Sequence, residues 1–362
     1  MEESLKKVAD QFAFEGEIKD VRPLGEGLIN ETFFVETTGG RPSYILQRKN
    51  KHIFTDVPAM MDNISKVIEH IKKKVITAGG DPLREALTIT PTTDGKLYYK
   101  DDKNEYWAAC LFIDDTLAYQ CADTPGLAEQ GGKGIGKFQA MLSDMNEPLA
   151  DILPGFHNIR YRFKQWDDVL QRDPVGRKLK VAKEVEEIEK RRDEMLAFWI
   201  MVEQGEIPIR VTHNDTKISN ILFDKQGNVL CVIDLDTVLN STCLNDYGDA
   251  IRSYANAGLE DDENLANVYL NLPIFEAYTK GYLSEAKSFL TPTEKEYLAF
   301  SAKYLTFEQI LRFLMDYING DTYYKIKNEK HNLVRTHAQL KLLQSMEDSY
   351  SDMRSIVCKY ID

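Results

Sequence analysis

The chain has 362 residues, 45 basic against 58 acidic, and a formal net charge of −13. At about 150 residues per domain this predicts two domains or two lobes, with ample chain for a core. The acidic balance argues against a general nucleic-acid binder, and no uncharged stretch approaches the roughly 18 residues of a membrane span.

Residues 1–20 open on two glutamates and alternate charge, unlike a signal peptide, so a cytoplasmic protein is expected. Strands are predicted next. Asp20 to Leu24 runs into Gly25-Glu26-Gly27, and Thr32 to Thr37 follows with Phe33 and Val35 on one face. After a Gly39-Gly40 turn, Tyr44 to Gln47 is another short strand. Val57, Met60, Met61, Ile64, Val67, Ile68 and Ile71 then recur at helical spacing. Leu87 to Pro91 and Lys96 to Lys100 read as strands around an Asp94-Gly95 turn, and Glu105 to Ile113 as a central strand.

Beyond residue 115 helices dominate. Leu127 to Leu142 is one, the charged run Arg177 to Glu203 a single long surface helix, and Glu294 to Ile318 a third. A strand-rich island, Ile221 to Phe223 and Val229 to Leu235, interrupts them. The five cysteines are scattered and include no CxxC pair, so neither a zinc site nor a disulfide framework is indicated. Cys110 and Cys231 lie in apolar runs and are expected as core thiols.

The chemistry concentrates between residues 211 and 236. His213-Asn-Asp215-Thr-Lys-Ile-Ser-Asn220 is followed by a hairpin delivering Ile233-Asp234-Leu235-Asp236. Phosphoryl transfer needs this set: a carboxylate to take the acceptor's proton, and an amide oxygen with a second carboxylate to hold Mg²⁺ on the nucleotide phosphates. Asp215 is the expected base, Asn220 and Asp234 the expected metal ligands, and His213 the residue that structures the loop. Gly25 and Gly27 then read as a loop whose backbone amides cover phosphates.

His213-x-Asp215-x₄-Asn220 with Ile233 to Asp236 resembles the aminoglycoside phosphotransferase and choline kinase superfamily. With Gly25 to Thr32, Tyr44 to Gln47, Asp234-Leu-Asp-Thr237, Leu311-Arg-Phe-Leu-x-Asp-Tyr-x-x-Gly-Asp321 and His331 to Arg335, the chain is similar to the N-acetylhexosamine 1-kinase family over nearly its whole length. The resemblance implies an α+β, protein-kinase-like fold with two lobes. Residues 1–114 would be a small β-rich lobe covering the nucleotide, and residues 115–362 a larger, mainly helical lobe for catalysis and sugar binding. It implies ATP and Mg²⁺ as cofactors, and N-acetylglucosamine or N-acetylgalactosamine as the small-molecule substrate, phosphorylated at the anomeric hydroxyl. Thr237, Arg312 and Tyr323 fall at sugar-contacting positions. Asp316, four residues after Arg312, shares its helix face and could hold its guanidinium, either as a substrate clamp or as a partly buried ion pair. The adenine would lie at Ala109 to Asp114, on the backbone of Phe112 and Ile113.

One departure concerns the lysine that protein kinases carry on their third strand. Gln47 stands there, with Arg48 and Lys49 next; Arg48 is the candidate counter-charge, the alternative being a solvated surface residue. Two rival readings remain: a kinase for choline, an aminoglycoside or another small alcohol, and an inactive regulatory protein on the same fold. Arg312 would repel cationic acceptors, and Asp215, Asn220 and Asp234 are all present.

Overall fold

Period-two alternation builds the N-terminal sheet of the structure, a computed structural model that describes residues 2–25 and 29–361. Helix α1 (Glu2–Ala9) precedes strands β1 (Ile18–Pro23), β2 (Glu31–Thr37) and β3 (Tyr44–Lys49). After α2 (Val57–Thr77) come β4 (Ile89–Thr90), β5 (Tyr99–Lys100) and β6 (Tyr106–Leu111). The antiparallel order is β1-β2-β3-β6-β4, with β5 also on β6. Phe33 faces Leu46 and Leu46 faces Ala109 in register, so one face gathers Phe33, Val35, Tyr44, Leu46, Trp107 and Ala109 against Leu5, Val8 and Ala9 of α1. The opposite face then carries Thr32, Ile45, Gln47, Lys49, Ala108 and Cys110. The predicted strands at 87–91 and 96–100 shrink to two residues each, because both pair with β6 rather than with each other.

The remaining elements are α3 (Pro125–Leu142), α4 (Ile159–Arg172), α5 (Ala182–Glu189), α6 (Arg192–Glu203), β7 (Arg210–Thr212), β8 (Ile221–Phe223), β9 (Val229–Val232), β10 (Leu239–Ser241), α7 (Cys243–Tyr254), α8 (Leu272–Ala286), α9 (Pro292–Ile318), α10 (His331–Asp348) and α11 (Tyr350–Ile361). Two compact units result. One comprises Met1–Leu117, Asp144–Leu153 and Leu222–Leu239; the other Ala118–Ser143, Pro154–Ile221 and Asn240–Asp362.

The single helix expected over 177–203 is instead a 3₁₀ turn, α5 and α6. Arg191 lies at the break, buried, with its guanidinium forked onto Glu347 at 2.7 and 2.8 Å. Helix α4 went unpredicted, although Ile159, Phe163, Trp166 and Val169 recur at helical spacing behind an Asn158 cap. Cys231 and Cys243 are buried, and Cys110, expected in the core, is half-buried.

Helix α3 contains five glycines, each costing about 1 kcal/mol of helix propensity relative to alanine. Close packing on α8 explains Gly132 and Gly136, and Gly131 packs against Tyr254 of α7. A Cβ on Gly132 would lie 2.2 Å from the Tyr278 carbonyl oxygen, and one on Gly281 2.0 Å from that of Glu129. Gly281→Ala is therefore expected to lower stability by about 1–3 kcal/mol through overpacking, despite alanine's better propensity. Chemical denaturation checks this; an unchanged or raised midpoint would show that the helices part freely.

Candidate active site

The loop between β7 and β8 carries Asp215, and buried carboxylates on α7 comb its backbone into shape. Asp246 accepts from the His213 N–H at 3.0 Å and the Asn214 N–H at 2.7 Å; Asp249 accepts from the Thr216 N–H at 3.1 Å. Buried loop amides require such partners. Burial pushes the Asp246 carboxyl up. It acts on Asp249 too, but Arg252 and His157 outweigh it and hold that carboxyl below the usual range. Asn214 is left-handed, with φ +65°, and its side chain bonds back to Thr212. The Nδ1 atom of His213 accepts the Asp215 N–H at 3.2 Å.

The carboxylate of Asp215 is braced on one oxygen. Its Oδ2 accepts from Lys217 Nζ at 2.8 Å and Asn220 Nδ2 at 3.0 Å. Asn220 Nδ2 also reaches the Asp215 carbonyl at 2.9 Å, which turns the Asn220 amide oxygen away from the base. The Oδ1 atom of Asp215 takes neither of these bonds, on a side chain 30% exposed. Lys217 was not singled out from sequence; its offset of two residues from Asp215 was the available signal.

Asp234 follows β9 in a left-handed conformation, φ +61°, and opens a short 3₁₀ turn holding buried Asp236 and Thr237. Lys49 pairs with Asp236 at 2.7 and 2.9 Å, with side chains only 4% and 7% exposed. Gln47 accepts a third bond from Lys49 at 2.7 Å, and Asn30 donates to Asp236 at 2.6 Å. Arg48, the candidate counter-charge, projects from the opposite face of β3 and pairs with Glu31 in a more exposed position. The buried cation of this strand is therefore Lys49, because the pleat alternates faces. Gly25 is left-handed, φ +69°, and Gly27 lies outside the described residues. Phe112 donates its N–H to Ser43 at 3.0 Å, and Ile113 is buried with its carbonyl accepting from Thr116.

The residue types suit Mg²⁺. Among the described residues no group of three or more His, Cys, Asp or Glu forms a cage. Asn220 and Asp234 offer hard oxygens of the kind that ion takes while keeping waters and phosphates.

Arg312 lines a cavity of about 290 Å³ with Arg162, Asn319, Thr322, Tyr323 and Tyr324. Its guanidinium sits 5.6–5.8 Å from the ring centres of Phe156, Tyr323 and Tyr324 and donates to Gln309 at 3.2 Å. Asp316 does not hold it. That carboxylate accepts from the backbone N–H groups of Thr322, Tyr323 and Tyr324 at 2.9–3.0 Å and from Asn332 at 2.9 Å. Asp316 thus shapes the loop that sets Tyr323 and Tyr324 around Arg312.

A family model described as the phosphotransferase enzyme family matches residues 20–282. The chain belongs to that family. This phosphotransferase is similar in structure to a microcompartment-associated aminopropanol kinase (TM-score 0.64, 14% identity, covering 97% of this chain and 98% of that one). It is also similar to a spectinomycin phosphotransferase solved with ADP and spectinomycin (0.58, 13%, 98% and 99%). A third likeness is to the choline kinase of Cryptosporidium parvum Iowa II (0.56, 14%, 99% of each chain). These likenesses establish the protein-kinase-like fold. No helix of the phosphotransferase, among the described residues, is long and apolar enough to cross a membrane.

Proposed function

We propose that this phosphotransferase transfers the γ-phosphoryl group of ATP to the anomeric hydroxyl of a free N-acetylhexosamine. The observation that carries the reading is Arg312. It is an always-charged fork that donates to Gln309, lies against the rings of Phe156, Tyr323 and Tyr324, and lines a cavity with both tyrosines. The Arg312 guanidinium suits sugar hydroxyl and acetamide oxygens and repels the cationic head of choline, ethanolamine or an aminoglycoside.

In this reading the hydroxyl oxygen attacks the γ-phosphorus, the bond to the ADP oxygen breaks, and the proton passes to Asp215. Asn220 and Asp234 supply oxygens to Mg²⁺, which when bound neutralises charge on the phosphates. Lys49 takes the counter-charge role, held ready by Asp236 and Gln47. Residues 1–114 cover the nucleotide, with Gly25 at its phosphates. The backbone of Phe112 and Ile113 takes the base edge. Thr237 and Tyr323 complete the sugar contacts, and Asp316 acts through the loop it shapes.

An ADP-release screen with ATP and Mg²⁺ over N-acetylglucosamine, N-acetylgalactosamine, choline and aminoglycosides tests the proposal. Turnover on an N-acetylhexosamine, with ³¹P spectra placing phosphate at the anomeric position, supports it; turnover on choline or an aminoglycoside alone overturns it. Arg312→Met is expected to lower kcat/KM for the sugar about ten- to hundredfold, the effect of about 1–3 kcal/mol of unpaired sugar oxygens. The KM for ATP should barely move. Unchanged sugar kinetics with a lower melting temperature would assign Arg312 to stability instead.

A further inference from the structure

His157 has no place in the chemistry above, yet it is buried in a left-handed conformation, φ +55°, beside the loop of the base. Its Nδ1 lies 2.8 Å from Oε2 of Glu308, and its Nε2 lies 3.3 Å from the carbonyl oxygen of Asn214. A carbonyl can only accept, and so can an ionised carboxylate. Glu308 is ionised: burial pushes its carboxyl up, but the neighbouring His157 and Arg162 outweigh this and hold it at about 2. Nε2 therefore donates to the carbonyl, and Nδ1 faces the Glu308 carboxylate.

The carbonyl it reaches belongs to the peptide unit that joins Asn214 to Asp215. The N–H of that same unit is taken by His213. Held at both ends, the unit fixes the direction in which the Asp215 side chain leaves the backbone. The anchor is α9. Tyr304 donates to the His157 carbonyl at 3.1 Å, and Glu308 grips the ring one turn later. Arg312 follows after a further turn, with Phe156 beneath it. Positions 304, 308 and 312 form one helical stripe.

We propose that His157 and Glu308 are positioning residues, a charged pair that aims the Asp215 carboxylate and ties its loop to the helix bearing Arg312. The proposal rests on Asp215 as base but not on which acceptor is used.

Two readouts test it. The chain has six histidines, so ¹⁵N-histidine labelling with His157→Gln as the assignment control isolates the His157 ring. At pH 7 both ring nitrogens should be protonated in the wild-type protein, and the ring should be neutral in Glu308→Gln. A neutral wild-type ring overturns the proposal whatever the acceptor. In kinetics with ATP, Mg²⁺ and N-acetylglucosamine, or with water as acceptor if no sugar is turned over, Glu308→Gln should lower kcat by about ten- to a hundredfold. The KM for ATP should stay within about twofold. In the Asp215→Asn background the same change should cost less than about twofold, since the group being aimed is gone. An equal loss in both backgrounds, or no loss in either, rejects the positioning role. The double variant His157→Gln with Glu308→Gln removes both members of the pair, leaves Arg162 with Gln165 and the new amide as partners, and keeps an amide donor toward Asn214. It should melt close to wild type and recover part of kcat, and failure to recover any kcat while folded also counts against the proposal.

Discussion

Asp215→Asn is expected to slow phosphoryl transfer by about 10²–10⁴-fold, the usual worth of general-base assistance. The argument is local. Lys217 and Asn220 both donate to Oδ2, and an asparagine oxygen can occupy that position and keep both bonds. The amide nitrogen then replaces Oδ1, the oxygen left to receive the acceptor's proton. The loop should hold its shape, since Asp246, Asp249 and His213 bind its backbone rather than the Asp215 side chain. Melting temperature and ATP affinity should therefore change little while kcat collapses. Turnover near that of the wild type would remove Asp215 from the role of base.

Lys49→Met is expected to lose both stability and nucleotide. Its partner Asp236 would keep a buried charge with Asn30 as its remaining side-chain donor. Removing one member of a buried pair costs about 3–5 kcal/mol. Lys49→Met with Asp236→Leu removes both charges and should recover most of that stability, because a buried pair contributes little beyond what apolar side chains of similar volume supply. ATP affinity should not recover with it. Denaturation midpoints and nucleotide titrations on the single and double variants separate the two effects. Full ATP affinity in the double variant would show that Lys49 is structural and that the phosphates find their counter-charge elsewhere.

Much of the architecture was legible because it is written in short-range periodicity. Alternation in residues 32–37 and 44–47, the 3.6-residue stripe of α2 and the apolar stripe of α9 each report one buried face, and a buried face needs no knowledge of its partner. The kinase-like fold was legible through a motif whose spacing is itself local, His213 to Asn220 followed by a hairpin. The side-chain partnerships were not legible in this way. Arg48 and Lys49 are adjacent and equally basic, so a linear reading cannot say which of them is buried. The pleat puts them on opposite faces, and an aspartate 187 residues further on decides which is buried. Arg312 and Asp316 stand four apart on a helix, a spacing that suggests an ion pair. Asp316 turns instead to three loop amides, because backbone N–H groups in a tight turn must be paired wherever they are shielded from water.

The break between α5 and α6 has the same origin. Nothing in residues 177–203 is a glycine or proline positioned to stop a helix there, yet Arg191 is drawn into a buried fork with Glu347, far along the chain. Gly132 and Gly136 of α3 carry their meaning only against α8, where a carbonyl occupies the space a side chain would need. The sequence by itself determined the main strands of the N-terminal sheet and helices α2 and α9, and it singled out the candidates for phosphoryl transfer, since both follow from local composition and spacing. The tertiary structure decided which charges are paired, which carboxylates shape loops and what braces the base. Those outcomes depend on burial, which raises the cost of every unpaired polar group and is set by residues distant in sequence.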